Sequence, residues 1–179
     1  MIEVRAFESS DARKVVTWID DFEALIMWSG NSGFTWPFEA GQLADFHASD
    51  PGRRLHVAID PDGTPVGHFM LRTDPSGRSV RLGMVVVSPA ARGQGYGEAM
   101  VEAALGRAFA DPAVEGVDLG VYSRNTGAMR LYERFGFRRE RTEPKATLVA
   151  GEWWPSITMS LRRDAWGATE RLRRGRPEA

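Results

Sequence analysis

Cysteine is absent from all 179 residues. This excludes a disulfide-stapled scaffold, a thiolate metal site and a covalent acyl-enzyme on sulfur. Lysine is nearly missing: Lys14 and Lys145 are the two in the chain. Neither is followed by Ser or Thr, so there is no phosphate loop of the Walker type. The three histidines, His47, His56 and His68, lie nine and twelve residues apart. They cannot form a His-Glu-x-x-His helix, and no metal is expected. A Gly-x-Ser-x-Gly nucleophile elbow is also missing. No apolar run approaches the roughly 18 uninterrupted residues of a membrane span, so no membrane association is expected.

An excess of either charge is lacking as well, with 23 basic against 24 acidic side chains. Nothing here asks for a nucleic-acid partner, which usually needs a basic face. The distribution is uneven, however. From Arg162 onward six arginines face three acids, a balance of +3, which leaves −4 on the body. Residues 164–179 therefore read as a basic, partly disordered tail behind one domain over 1–163, with docking on RNA as the rival reading. The start, Met1-Ile-Glu-Val-Arg-Ala-Phe, reads as an amphipathic strand rather than a signal peptide, and a cytoplasmic location is expected.

What is present is an alternation of period-two and period-3.6 segments. Glu3 to Phe7, Arg54 to Ile59, Pro65 to Arg72 and Ser79 to Val87 read as strands, with turns at Pro61-Asp-Gly-Thr and Asp74-Pro-Ser-Gly. Val15, Val16, Ile19, Phe22, Leu25 and Ile26 fall on one helical face. A short helix follows at roughly Phe38 to His47. A clear helix opens after Gly97 and ends near Ala110, before Pro112. Val117 to Tyr122 is a half-buried strand. Ala128, Leu131, Tyr132 and Phe135 define a helix ended by Gly136, and strand signals return at Phe137 to Glu140 and Ser156 to Leu161. This order predicts a mixed α/β domain with one sheet and helices on its faces.

One constellation carries chemistry. Leu82-Gly-Met-Val-Val-Val-Ser-Pro runs into Arg92-Gly-Gln-Gly-Tyr-Gly and then into the long helix. Glycines at 93, 95 and 97 let the backbone N–H groups turn inward, and the helix behind adds unpaired N–H groups and the positive end of its dipole. This is a nest suited to a pyrophosphate, with Arg92 as an added charge. Thirty residues on stands Asn125-x-x-Ala128-x-x-x-Tyr132-x-x-x-Gly136-Phe137. Together the two segments resemble the cofactor-binding motifs of the GNAT superfamily of acyl-coenzyme A N-acyltransferases. The late Trp153-Trp154…Ile157-Thr-Met-Ser-Leu segment is similar to the branch containing acetyltransferases of ribosomal-protein N-termini, polyamines and antibiotics.

The resemblance implies a mixed, twisted sheet of six or seven strands with about four helices. It implies acetyl transfer from acetyl-coenzyme A to a primary amine, a small molecule or a peptide N-terminus, in a ternary complex of a monomer or homodimer. Backbone amides of Arg92, Gly93, Gln94, Gly95, Tyr96, Gly97 and Glu98 would hold the pyrophosphate. Val85, Val86 and Val87 would pair with the pantetheine arm, and an N–H of this strand would face the thioester oxygen. Tyr132 shares its helix's buried face, which by itself describes a core tyrosine; the resemblance makes it the acid for the departing thiolate. Asn125 is a helix cap on its own pattern, to which the resemblance adds a pantetheine contact. The strand of residues 80–87 carries no acid to deprotonate the amine, which leaves Asp118, Glu152 or a water relay through Ser123. Trp28, Phe34 and Trp36, near Phe38, with Trp154 on the other side, are expected to wall the acceptor pocket. The rival reading is a non-catalytic acyl-coenzyme A sensor.

Overall fold

Alternation in the first half of the chain resolves into an antiparallel meander of four strands. The computed structural model describes residues 2–174. Strands β1 (Glu3–Ala6), β2 (Arg53–Ile59), β3 (Pro65–Thr73) and β4 (Ser79–Val87) pair in sequence order. Helix α4 (Tyr96–Ala108) crosses over to β5 (Gly116–Tyr122), which lies parallel to β4. Helix α5 (Thr126–Arg134) precedes a hairpin of β6 (Arg138–Val149) and β7 (Glu152–Arg162), and β7 inserts between β5 and β6. The seven-stranded sheet thus has the order β1-β2-β3-β4-β5-β7-β6.

Two layers cover the sheet. On one face Met100, Val101, Ala104 and Leu105 of α4 pack with Phe69, Leu71, Val80 and Leu82. On the other lie α1 (Ala12–Val16), α2 (Phe22–Ser29) and α3 (Ala40–Ala48), whose Val15, Leu25 and Leu43 join Leu55, Val57, Met70 and Met84. The continuous helix read from Val15 to Ile26 is two helices. The Asp21 carboxylate accepts from the Ala24 N–H at 2.7 Å while its own backbone is extended, so capping restarts the helix despite unbroken apolar spacing.

The described residues hold six α-helices, against the four or so expected. Besides the α1/α2 break, residues from 163 onward form α6 (Arg163–Arg174). Trp166 is buried against Phe109 and Phe135, and Arg163 donates to the carbonyls of Val114 and Phe109 at 2.7 and 3.0 Å. The segment expected to be a tail therefore starts by packing on the domain; its last residues, 175–179, lie outside the described residues. Strand β6 is also far longer than expected. It is a charged, exposed edge strand, so no apolar alternation betrays it in the sequence.

Candidate active site

The sheet parts at its centre. Strands β4 and β5 pair only through Ser79, Val80 and Arg81 with Gly116, Val117 and Asp118, then run on unpaired. A bulge in β4 accompanies the parting. Met84 sits at φ 52°, a left-handed conformation that is uncommon for a side-chain-bearing residue, and the β3–β4 register shifts between His68 and Met70. The bulge reverses side-chain alternation. Val80 and Leu82 face the α4 layer, whereas Met84 faces the α1–α3 layer. The Met84 carbonyl accepts from the Trp28 indole N–H at 2.8 Å and lies 3.1 Å from His68 Nδ1. His68 is fully buried; burial pushes its pKa down to about 4, so the neutral ring donates from Nδ1.

Three contiguous cavities follow the parting. The first, of about 680 Å³, is a groove over the loop between β4 and α4. Gly93 and Gly95 take φ of 77° and 82°, and the N–H groups of residues 93–97 find no acceptor among the described residues. The amides at either end are engaged, Arg92 with Pro89 and Glu98 with Gly95. Val85, Val86, Val87, Arg92, Gly93, Gly95, Tyr96, Gly97 and Asn125 all line the groove. Gln94 and Glu98 do not: the Gln94 side-chain amide donates to the Ala90 carbonyl, and the Glu98 carboxylate pairs with Arg134 at 3.4 Å. Asn125 Oδ1 caps α5 by accepting from the Ala128 N–H at 3.2 Å. Arg124, which sequence reasoning missed, lines the groove with its guanidinium 4.8 Å above the Trp154 ring.

The second cavity, about 180 Å³, is the slot between β4 and β5. Val85, Val87, Gly97 and Asn125 are shared with the groove, and Tyr132 stands at its wall. The Tyr132 ring packs edge-on against Phe137 at 5.7 Å, and its hydroxyl makes no hydrogen bond among the described residues. Burial pushes its pKa up to about 12, so the phenol stays protonated over the whole physiological range.

The third cavity, about 710 Å³, opens beyond the slot and shares Trp28, Leu82, Gly83, Met84 and Gly120 with it. Of the four aromatic residues expected at the acceptor side, Trp28 lines all three cavities. Phe34 stacks on Trp28 inside the α1–α3 layer, Trp36 is exposed, and Trp154 is buried against Tyr122; none of these three lines any of the cavities. The expected proton acceptors also lie elsewhere. Asp118 is held by Arg81 at 2.6 Å and Glu152 pairs with Arg124 at 3.5 Å, and neither they nor Ser123 line the third cavity. The carboxylate that does is Glu143, on the edge strand that sequence reading missed. It is accompanied by the guanidinium groups of Arg53, Arg72, Arg81 and Arg141.

The profile of the acetyltransferase (GNAT) family matches residues 18–137. A mycothiol acetyltransferase of Jonesia denitrificans is 29% identical over 143 residues, 75% of this chain and 45% of the relative. Another, of Salinispora tropica, is 36% identical over 86 residues, 46% of this chain and 28% of the relative. The chain thus spans less than half the length of both. Among solved structures, spermidine N-acetyltransferase from Vibrio cholerae in complex with CoA and spermine superposes with a TM-score of 0.79 at 22% identity, covering 92% of this chain and 97% of that one. No helix among the described residues is long and apolar enough to cross a membrane.

Proposed function

Because the chain belongs to the acetyltransferase (GNAT) family, we propose that it moves an acetyl group from acetyl-coenzyme A to a primary amine while both are bound. The observation that carries this is the continuity of the three cavities through the slot where Tyr132 stands. The backbone amides of residues 93–97 and the Arg92 guanidinium receive the pyrophosphate. The unpaired edge of Val85 to Val87 receives the pantetheine amides, with Asn125 opposite, so the thioester reaches the slot. The amine enters from the third cavity. Its nitrogen bonds to the thioester carbon, the C–S bond breaks, and the proton lost by nitrogen balances the one that ends on sulfur.

The bulge has a role in this scheme. With its carbonyl held by Trp28 and His68, the Met84–Val85 peptide is fixed, and planarity aims the Val85 N–H the opposite way. Such a preset donor stabilises the oxyanion, an effect of about 3 kcal/mol in other acyl transfers. Trp28→Phe keeps an aromatic ring but removes one of the two donors to the carbonyl, leaving the His68 contact. We expect kcat to fall about tenfold, with CoA affinity within twofold of wild type. An unaltered kcat would show that the peptide holds its direction without the indole.

The amine acceptor class draws support from the spermidine acetyltransferase likeness, whose solved complex holds spermine. Free-thiol appearance from acetyl-CoA with a panel of small amines and short peptides tests the assignment. Amine-dependent thiol release is expected. A protein that binds CoA yet releases no thiol with any amine is a sensor and not an enzyme.

A further inference from the structure

The acceptor cavity has an unexpected electrostatic character. Four guanidinium groups, Arg53, Arg72, Arg81 and Arg141, face one carboxylate, Glu143. Counting Asp50 and Asp118, which pair with three of these arginines from behind, cations still outnumber acids four to three. A polycation would meet repulsion on this wall, since like charges in one site cost binding energy.

Two of the arginines, Arg53 and Arg81, are held in place by packing, and Arg72 is oriented by its 3.0 Å contact with Asp50. Arg53 is mostly buried, stacks on Phe46 with its guanidinium carbon 3.5 Å from the ring centroid, and its Nε has no partner among the described residues. Arg81 reaches over the neighbouring strand at Gly120, where an added Cβ would stand 2.9 Å from its Nη2. Glycine at that position leaves the guanidinium its place beside the slot. The pairs with Asp50 and Asp118 are partly exposed, a setting in which an ion pair contributes little. Each guanidinium has five N–H donors in a fork that matches carboxylate or phosphate oxygens, so one acid does not exhaust it.

We infer that the acceptor is an amine carrying an anionic group, a carboxylate or a phosphate, seated on Arg72 and Arg81 while its nitrogen faces the slot. This rests on the acetyl-transfer reading and narrows its substrate class.

A four-carbon series isolates the terminal group: 4-aminobutyrate, 4-aminobutyl phosphate, n-butylamine and 1,4-diaminobutane. All four offer the same primary amine. One charge-assisted hydrogen-bond pair supports an advantage of about tenfold or more in kcat/KM for an anionic terminus over n-butylamine. The diamine should be the poorest, and added NaCl should shrink the spread. The two anionic members distinguish carboxylate from phosphate. Arg72→Gln and Arg81→Gln should each cut the anion-to-neutral ratio severalfold, with CoA affinity confirming an intact fold. Equal rates across the series, or preference for the diamine, would overturn the inference while leaving acetyl transfer standing. If no amine releases thiol, titration of the CoA-saturated protein with 4-aminobutyrate and 4-aminobutyl phosphate still decides. Saturable binding weakened in Arg72→Gln upholds the anion site, and lack of binding rejects it.

Discussion

Tyr132→Phe should lower kcat about a hundredfold, the usual scale for loss of a preset hydrogen-bond donor to developing charge, while CoA binds within twofold of wild type. The ring packs on Phe137 and the hydroxyl makes no hydrogen bond among the described residues, so its removal costs the fold little. Thermal stability within a few degrees of wild type is expected. The chemistry is constrained by acidity. A phenol at about 12 is a weaker acid than a thiol near 8.5, so outright proton transfer to the leaving sulfur runs uphill. On the proposed reading the phenol instead donates a hydrogen bond as charge builds on sulfur, and the amine supplies the balancing proton. Since Tyr132 remains protonated below pH 11 or so, the mutation should reduce the pH–rate profile without moving any limb between pH 6 and 9. A limb lost with the hydroxyl, or an unchanged kcat, would remove Tyr132 from the mechanism.

Gly95→Val tests the other half of the site. Gly95 caps α4 at φ 82° and ψ −4°, in the left-handed region. An added Cβ meets nothing within 4 Å there, so the cost is conformational and not steric. Left-handed backbone costs an L-residue about 1–2 kcal/mol, and branching at Cβ adds to it. If the loop relaxes to escape this strain, the amides of 93–97 lose the directions that the left-handed glycines set. CoA affinity should then fall about tenfold or more, since 1.4 kcal/mol is a factor of ten. Gly95→Ala should have a smaller effect in the same direction, and equal Kd values for all three proteins would show that the loop does not grip the coenzyme.

The donor side was legible because its determinants are local. Glycines at 93, 95 and 97, the strand before them and the helix behind them adjoin in sequence, and Asn125 caps the short helix that carries Tyr132. The acceptor side is assembled from residues far apart in the chain. Arg53, Arg72 and Arg81 look like the polar half of ordinary alternating strands, and only the sheet order β2-β3-β4 brings them to one wall. Glu143 and Arg141 sit on an edge strand whose exposed, charged run hides its period. Trp153-Trp154 was visible as a pair, but strand alternation sends Trp153 to solvent and Trp154 inward, beneath Arg124. The bulge at Met84 had no sequence signal, because methionine rarely takes a positive φ and no glycine stands at that position. The turn at Asp21 escaped for a different reason, since an uninterrupted apolar face masks a cap within it.

Calorimetric titration of the full chain with CoA probes the whole scheme at its root. One saturable site per chain, weakened in Gly95→Val and unaffected in Tyr132→Phe, is the predicted outcome. A wild-type protein that takes up no CoA would contradict the account, because the amides of the 93–97 loop would then have no diphosphate to hold and the slot at Tyr132 no thioester to receive.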